Sequence, residues 1–550
     1  MSKLLKDFWK WGKPESEIQL RDYPKFQTFL EEKWSRKLVN DFQSPDLARL
    51  VPESSFTETD FTKTFPALSL NQFSNDKKER ISNGFGKSYH DIIRVLTGKF
   101  PPLADFVLFP ETEADVIHIL SQASSHHIKV VPFGGGSNVT GAFELNNENK
   151  SCSVNLQRLN RLIEIDEDSH TATFETGVFG PELEEKLNAK GFTLGHFPQS
   201  FEYSTLGGWI ATRSGGQESG QYGKIEDMVL GIRAVTPNSI IAATQNYPRH
   251  AAGVDTYRLF LGSEGTLGIV TLATLRIERM PQKHLWIVGL FKTFDEATAA
   301  VRETIQCGIH PGILRLSDAL ETKLLSTMRS GESKGLKRLI SKLTKSYLGF
   351  KDFKEPCVLM MRFSIRSDAD IAIAKTAQKI IKKKNGFLLP SSAAGNWEEH
   401  RFTLPYLRDS LIEHRIMIDT FETIAFWKDV SILYSEVKDS LKKSGFYEDG
   451  GMIFCHISHV YESAACLYFT ILAPQEKGDE ESQWTRYKTT VTNALIKAGG
   501  AVSHHHGIGR DHQHWYLKKT SQGEKELLRA IKTHLDPNHI MNPGKLFDEN

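Results

Sequence analysis

Cysteine is scarce in this 550-residue chain, which contains five cysteines and no CxxC pair. Such a small, odd and scattered set excludes a disulfide framework and indicates a reducing compartment. No run of about 18 to 20 apolar residues occurs, so a membrane-spanning helix is not predicted. Charge of one sign is also lacking, because 68 Lys and Arg residues nearly balance 67 Asp and Glu residues. This balance excludes an overall basic footprint, and no nucleic-acid partner is predicted.

Targeting signals are also missing from the sequence. The start has no secretory apolar core or small-residue cleavage site, and the end, FDEN, is not an SKL-type peroxisomal address. An early peroxisomal signal of the R/K-[L/V/I]-x5-[H/Q]-[L/A] kind is not found either. We therefore expect a cytoplasmic protein. The lysine-rich stretch 334–351 is interpreted as a solvated helix surface, with peripheral contact to an anionic membrane as the alternative.

The composition is that of a globular protein with several domains. Apolar residues make up 39% and charged residues 25% of the chain. At ~150 residues per domain, the length allows three or four units. We expect a largely helical segment over 1–100, an α/β unit over 101–280, an α+β unit over 281–490 and a helical C-terminal segment over 491–550.

Three segments of the first unit are rich in glycine and small polar residues. PFGGGSN (132–138) follows the predicted strand IKVV, and the others are 198–215 and GSEGTLGIV (262–270). Glycine lets a backbone approach a ligand closely, and successive N–H groups can point at an anion. PFGGGSN has neither the GK[ST] ending of a phosphate loop nor the GxGxxG spacing of a Rossmann turn. Each segment alone fits a structural turn, but three in one unit are difficult to dismiss as turns.

Together the segments resemble the FAD-binding domain of the p-cresol methylhydroxylase and vanillyl-alcohol oxidase superfamily. The resemblance covers roughly residues 100–280. It implies an α+β fold with a two-part FAD-binding domain, an α+β cap domain over 281–490, and a C-terminal segment that returns to the flavin. FAD is expected to be noncovalent, because neither loop contains an evident flavin-linking histidine. The implied cofactor-binding residues are Pro132, Phe133, Gly134, Gly135, Gly136, Ser137, Asn138, Gln199, Ser200, Phe201, Glu202, Tyr203, Ser204, Thr205, Thr212, Arg213, Ser214, Gly215, Gly262, Ser263, Glu264, Gly265, Thr266, Leu267 and Gly268.

Further segments, spread from residue 8 to residue 509, resemble the alkyldihydroxyacetonephosphate synthase family. They are FWKWGKPE, HFPQSFEYSTLGGWIATRSGG, QYGKIEDMV, GILRLSD, YLRD, CLYF and SHHHGIG. The resemblance implies an FAD-dependent transferase that exchanges the acyl chain of acyl-dihydroxyacetone phosphate for a long-chain fatty alcohol, without net redox change. The oligomeric state considered for the protein is a homodimer. The alternative is an FAD-dependent 2-hydroxyacid dehydrogenase or oxidase, with which the ending DPNHIMNPGKLF is compatible.

The resemblance also assigns the proton chemistry. Tyr468 in CLYFTIL matches the family's proton-abstracting tyrosine, whereas the residues alone favour a structural strand tyrosine. A phenol with an ordinary pKa of ~10 is a poor base at neutral pH, so it needs cationic neighbours. His504, His505 and His506 match the family's active-site histidines and are expected to supply them. Side chains alternate along an extended segment, so one shared role for all three is not expected.

Two arginines and a second histidine segment complete the set. Arg408 in YLRD is expected to bind phosphate, since a planar guanidinium suits bidentate contact with that group. Arg315 in ILRLSD is expected to support the site, and an ordinary salt bridge is the alternative for both. CHISHVYES holds His456 and His459 where hydroxyacid dehydrogenases carry an HxGDGN metal motif. The Asp, Gly and Asn of that motif are missing, and no metal site is predicted.

Overall fold

The computed structural model describes residues 9–11, 17–40, 45–99, 101–145, 150–242, 246–328 and 353–547. The lysine-rich stretch 334–351 therefore lies outside the described residues. Within the described ranges, no helix combines the length and the apolar character needed to cross a membrane.

Short helices dominate the first hundred residues. They span Pro24–Trp34, Leu47–Leu50, Glu58–Thr64, Lys77–Ser82 and Tyr89–Leu96. The helix at Glu58 begins at a capping box, in which the Thr57 hydroxyl accepts the N–H of Asp60 and the Asp60 carboxylate accepts the N–H of Thr57. The region from 45 to 65 is therefore partly helical.

The first unit begins with a four-stranded sheet. Its strands are β1 (Phe73–Ser74), β2 (Phe106–Leu108), β3 (Lys129–Phe133) and β4 (Ser151–Asn155), in the order β1-β2-β4-β3. Strands β2, β4 and β3 are parallel, and helix Glu113–Ser125 connects β2 to β3. Strand β3 ends at Phe133, so PFGGGSN leaves the sheet at the carboxyl end of a parallel strand, where α/β sheets bind ligands.

The second half of the first unit is an antiparallel sheet. Its strands are β5 (Leu162–Asp166), β6 (Thr171–Glu175), β8 (Val229–Val235), β9 (Ile240–Ala242) and β10 (Ile269–Arg276), in the order β5-β6-β10-β8-β9, while β7 (Phe192–Thr193) pairs with β11 (Glu278–Arg279). The prediction of an α/β unit is wrong for this half. Its strands pair antiparallel, whereas an α/β unit has parallel strands connected by helices. Its helices are Gly180–Asn188, Leu206–Thr212, Ser219–Tyr222 and Ile225–Met228.

A seven-stranded antiparallel sheet forms the cap. Its strands are β12 (Lys283–Phe291), β13 (Ile313–Ser317), β14 (Cys357–Ile365), β15 (Phe387–Leu389), β16 (Ile416–Phe426), β17 (Met452–Val460) and β18 (Ala464–Pro474), in the order β15-β12-β14-β13-β17-β18-β16. Apolar residues of helices Phe294–Gln306, Asp368–Lys383, Val430–Lys443 and Glu480–Lys497 pack on one face. The predicted α+β unit thus has its main helices on one face of a single sheet, and the α+β class holds for the chain.

Shorter helices and the C-terminal segment connect the two units. Helices Ala319–Thr327, Gly395–His400 and Leu407–Glu413 belong to the cap region, and Gln513–Lys519 and Gln522–Leu535 follow it. The chain then returns to the first sheet, where the N–H of Asn542 donates to the carbonyl of Val130 at 2.8 Å. Helix Glu480–Lys497 packs with the cap and so extends past the boundary expected at residue 490.

Candidate active site

A cavity of about 430 Å³ lies between the first unit and the open face of the cap sheet. Three kinds of residue form its wall: the glycine-rich segments, a row of polar side chains on the cap strands, and a set of apolar side chains. The apolar set includes Leu324, Met328, Leu411, Phe454 and Leu472.

Close backbone approach brings the three glycine-rich segments together. A Cβ atom on Gly135 would lie 1.9 Å from the carbonyl oxygen of Tyr203. Gly265 has a φ of +73°, and a Cβ atom there would lie 2.9 Å from Cγ of Pro132. Both positions therefore require glycine, because a larger residue would separate the segments. The three segments form a single cradle, in the arrangement that the resemblance implies.

Most of the predicted cofactor-binding residues line the cavity. They are Pro132, Phe133, Gly134, Gly135, Gly136, Ser137, Asn138, Gln199, Ser200, Ser204, Thr205, Thr212, Ser214, Gly215, Ser263, Glu264, Gly265 and Gly268. The other predicted residues are outside that set and support the loops: Phe201, Glu202, Tyr203, Arg213, Gly262, Thr266 and Leu267. Arg213, for example, turns outward to pair with Glu226, and Leu267 packs in the core of the second sheet.

The cradle presents hydrogen-bond donors to the cavity. Oδ1 of Asn138 accepts the N–H groups of Thr140 at 2.8 Å and Ala142 at 3.0 Å, which fixes the side chain. Nδ2 of Asn138 is buried, and no described residue accepts its protons. A buried donor without a partner fits a bound ligand with acceptor oxygens. This donor and the glycine backbone fit the phosphate-bearing part of a dinucleotide.

Glu264 ties the cradle to the histidine segment. It adopts a left-handed backbone conformation with a φ of 51°, which is uncommon for a residue other than glycine. Its buried carboxylate accepts the N–H groups of Ile508 at 2.5 Å and Gly509 at 2.8 Å. The third glycine-rich segment and SHHHGIG are therefore held in contact.

A row of polar side chains crosses the open face of the cap sheet. Tyr468 on β18 lies directly opposite Glu422 on β16 and His456 on β17, so the three side chains share one face. The rings of His456 and Tyr468 stack with centroids 4.7 Å apart. Nη2 of Arg315 and Oε1 of Glu321 lie 3.0 and 2.9 Å from Nδ1 of His456. Arg315 therefore contacts the imidazole that stacks on Tyr468. This position agrees with a supporting role.

The histidine run bends around the Glu422 carboxylate. That group accepts the Ser503 hydroxyl at 2.6 Å and the N–H groups of His504, His505 and His506 at 2.6, 3.1 and 2.9 Å. The prediction of an extended segment is wrong, because three consecutive N–H groups converge on one carboxylate. Burial opposes ionisation of Glu422, but the histidine run and the Ser503 hydroxyl hold its pKa well below the usual value. Sequence reasoning missed this residue.

Burial favours the neutral forms of Tyr468 and of the three histidines. It raises the pKa of the Tyr468 phenol, lowers that of His505 well below its usual value, and lowers that of His506. The pKa of His504 falls to about 4, through burial and the nearby Lys224 ammonium. The three histidines therefore do not supply the cationic charge expected of them. Neutral imidazoles are the resident bases at neutral pH, and Tyr468 is a neutral phenol.

The three histidines occupy different positions. His505 and His506 line the cavity, and their ring centroids lie 6.0 and 5.5 Å from that of Tyr468. His504 turns away, with Nε2 2.8 Å from the Tyr461 hydroxyl and Nδ1 3.0 Å from Nδ1 of His505. The expectation that they do not share one role agrees with this arrangement.

A metal is not needed to explain the cluster. Glu422, Cys466, His504 and His505 each offer one ligand atom, and these atoms lie within 4.8 Å of one another. However, Glu422 already accepts four hydrogen bonds, and both ring nitrogens of His504 have hydrogen-bonding partners. Hydrogen bonding accounts for the arrangement, and the absence of a metal stays a prediction.

Arg408 lines the cavity beside the N-terminal segment. Its Nε and Nη2 atoms donate to Oδ1 of Asp409 at 3.1 and 2.9 Å, and its Nη1 donates to the carbonyl of Lys87 at 2.6 Å. Nη2 also lies 3.5 Å from the carbonyl of Trp9, and the guanidinium covers the Trp11 ring at 5.0 Å. The two-pronged edge of Arg408 is therefore directed at Asp409, and phosphate binding by Arg408 stays a prediction.

Two family models match the chain. One is described as an FAD binding domain and matches residues 104–244, and the other, FAD linked oxidases, C-terminal domain, matches residues 280–546. A p-cresol methylhydroxylase structure has the same fold, with a TM-score of 0.68 at 14% identity over 90% of this chain and 99% of that one. The glycine cradle and these matches define an FAD-dependent flavoprotein of the p-cresol methylhydroxylase superfamily.

Relatives of higher identity narrow this class. Alkyldihydroxyacetonephosphate synthase of Dictyostelium discoideum is 35% identical over 497 residues, covering 89% of this chain and 80% of the relative. The enzyme of that name from Trypanosoma brucei brucei is 35% identical over 489 residues, covering 87% and 79%. A solved structure with that name has a TM-score of 0.85 at 29% identity over 98% of both chains. The chain belongs to the alkyldihydroxyacetonephosphate synthase family.

Proposed function

We propose that the protein exchanges the acyl chain of acyl-dihydroxyacetone phosphate for a long-chain fatty alcohol. The reaction makes an ether bond and leaves no net redox change. The observation that carries this proposal is the position of Tyr468, which faces the same cavity as the glycine cradle and two neutral imidazoles. The names of the most similar relatives support the proposal.

The proton steps follow from the residues around Tyr468. The substrate carbon beside the ketone carries an acidic proton. The Tyr468 oxygen takes this proton while the phenol passes its own proton to a neutral imidazole, so that no isolated phenolate has to form. FAD, which the glycine cradle and Nδ2 of Asn138 would hold, would supply the electrophilic chemistry for this exchange. The same groups return the proton to the carbon after the alcohol has formed the new C–O bond, and the hydroxyl proton of the alcohol leaves with the fatty acid.

The apolar part of the wall suits hydrocarbon chains. Leu324 and Met328 come from the region of helix Ala319–Thr327, and Phe454 and Leu472 from adjacent strands of the cap sheet. Apolar walls with a few placed polar groups are typical of sites for mainly apolar ligands. Both proposed substrates carry long chains, so the proposal includes peripheral contact with a membrane. It also includes a homodimer.

One incubation tests the function. The holoenzyme is mixed with acyl-dihydroxyacetone phosphate and radiolabelled hexadecanol, without an external electron acceptor. We expect label in an alkyl ether product and release of one fatty acid per ether formed. Flavin bleaching on anaerobic mixing with D-lactate or D-2-hydroxyglutarate, with no ether product, would instead support the hydroxyacid dehydrogenase.

We expect the purified protein to be yellow and to carry one noncovalent FAD per chain. Gly135 contacts Tyr203, and no described residue accepts the Nδ2 protons of Asn138, so this cradle can hold a dinucleotide through hydrogen bonds. Acid precipitation should release the flavin into the supernatant, where its absorbance gives the stoichiometry. Flavin that stays with the precipitated protein would contradict noncovalent binding, and a folded apoprotein that takes up no FAD would contradict the site.

Arg408→Lys is expected to raise the KM for the phosphate-bearing substrate about 10- to 100-fold, since hydrogen bonds to charged groups contribute about 1.5 to 3 kcal/mol. Lysine keeps the charge but loses the planar donor fork. Asp409→Asn is the matched control, because it weakens the same ion pair and keeps the guanidinium. A lower Tm with an unchanged KM in both variants would show that Arg408 only holds the N-terminal segment.

A further inference from the structure

A chain of hydrogen bonds leads from the cavity towards the surface. His505 lines the cavity, and its Nδ1 lies 3.0 Å from Nδ1 of His504. Nε2 of His504 lies 2.8 Å from the hydroxyl of Tyr461, which is half-buried and precedes the exposed residues Glu462 and Ser463. Three side chains therefore connect the site to the edge of the cap.

The two imidazoles restrict the directions of these bonds. A neutral imidazole has one donor and one acceptor nitrogen, so the chain has two arrangements. In one, the hydroxyl of Tyr461 donates to His504, and Nδ1–H of His504 donates to His505. In the other, Nδ1–H of His505 donates to His504, and Nε2–H of His504 donates to Tyr461. The second arrangement leaves the Nε2 lone pair of His505 free to accept a proton.

We propose that His505, His504 and Tyr461 form a proton relay between the site and solvent, with Tyr461 as its outer group. The relay rests on the proposed function, which requires a proton to leave a substrate carbon and later return. A proton arrives on Nε2 of His505, and His505 passes its Nδ1 proton to Nδ1 of His504. His504 passes its Nε2 proton to the Tyr461 oxygen, whose own proton goes to water. One proton enters, one leaves, and no electrons move.

Contacts outside the chain hold its members in place. The Glu422 carboxylate accepts the N–H groups of both histidines, and Nζ of Lys224 donates to the carbonyl of His504 at 2.9 Å. Nε1 of Trp427 donates to the carbonyl of Tyr461 at 3.0 Å. These bonds use backbone groups of His504 and Tyr461, so the ring nitrogens and the phenol stay available for the relay.

The phenol is suited to pass protons without becoming charged. Burial raises the pKa of Tyr461, and the nearby Cys466, Glu226 and Asp227 raise it further. Tyr461 therefore keeps its hydroxyl proton across the neutral range. Such a group accepts one proton only as it releases another, which is what the relay requires.

The test follows deuterium at the substrate carbon that loses a proton. The holoenzyme receives acyl-dihydroxyacetone phosphate deuterated at the ester-bearing carbon, with hexadecanol, in ordinary water. In the unchanged enzyme, the relay exchanges the removed deuteron with water, and the ether product loses label. Tyr461→Phe keeps the ring but cannot accept a proton. We expect exchange to fall about 10- to 100-fold relative to ether formation, so that the product keeps its label.

Two further variants sharpen the result. His504→Asn keeps a polar side chain next to His505 but cannot pass protons between two ring nitrogens, and we expect it also to increase label retention. Tyr447→Phe is the matched control, because Tyr447 is a half-buried cap tyrosine whose ring contacts Phe446, away from the relay. We expect label loss and turnover in this control to equal those of the unchanged enzyme.

Three outcomes would overturn the relay. The first is a Tyr461→Phe enzyme with normal FAD content and Tm that loses label as fast as the unchanged enzyme. The second is a parallel fall in exchange and ether formation with their ratio unchanged, which would indicate a structural role. The third is an unchanged enzyme that gives neither exchange nor ether, in which case the proposed function fails and the relay fails with it. If the unchanged enzyme shows both exchange and ether formation, the proposed function stands. A negative result with Tyr461→Phe then contradicts the relay alone.

Discussion

Tyr468→Phe is expected to reduce turnover about 100- to 10,000-fold while FAD content and Tm stay near their original values. The substitution removes one hydroxyl and keeps the ring that stacks on His456. The lost hydroxyl interacts with Thr420 on the neighbouring strand, and a neutral hydrogen bond of this kind contributes about 1 kcal/mol to stability. Packing of the strand should therefore survive, while proton transfer does not.

Two measurements check this expectation. Ether formation gives the loss of turnover, and exchange of the substrate proton with solvent shows whether deprotonation itself is affected. Tyr434→Phe is the matched control, because the Tyr434 ring stacks near Phe469 on the helix-covered side of the sheet and its hydroxyl bonds Asp318 at 2.9 Å. This control should lose some stability and keep its rate. Proton exchange at the original rate in Tyr468→Phe would assign the base to another group, the neutral imidazoles of His505 and His506 first.

The elements that the sequence predicted well are those with local signals. The apolar run IKVV marked strand β3, and the capping residue Thr112 precedes helix Glu113–Ser125. The glycine-rich segments were recognised for the same reason, because the residue type at Gly135 and Gly265 directly indicates a backbone with more conformational freedom. Their convergence into one cradle followed from the resemblance.

Properties that depend on distant parts of the chain were not predictable in this way. Glu422 is one acidic residue within an apolar strand, and its role arises only because β16 pairs with β18 and the histidine run folds back onto it. The only local signal is a carboxylate between Phe421 and Thr423, which is a weak sign of a buried acceptor. The three histidines were expected to be cationic, and that expectation is wrong because burial, which favours the neutral imidazole, is a property of the assembled domains.

Glu422→Gln is expected to lower turnover at least about 100-fold and to destabilise the protein by about 3 kcal/mol, as removal of one member of a buried charged network does. The Glu422 carboxylate accepts hydrogen bonds from Ser503, His504, His505 and His506. An amide has one acceptor oxygen, and its NH₂ group would face N–H donors. The turn should therefore open, and His505 and His506 should lose their positions beside Tyr468.

The pH dependence of stability distinguishes this role from simple packing. The pKa of Glu422 is lower in the folded protein than the usual value of a glutamate, so its contribution is complete above the unfolded pKa and is lost as the pH falls through the folded pKa. The difference in unfolding free energy between the original protein and Glu422→Gln, measured with urea, should be largest near neutral pH and should shrink in acid. Glu436→Gln is the control, because Glu436 is a partly exposed partner of Lys497 at 2.7 Å and its loss should leave turnover unchanged. If Glu422→Gln retains turnover and shows a stability difference that does not vary with pH, the carboxylate does not hold the histidine turn, and another contact must position His505 and His506.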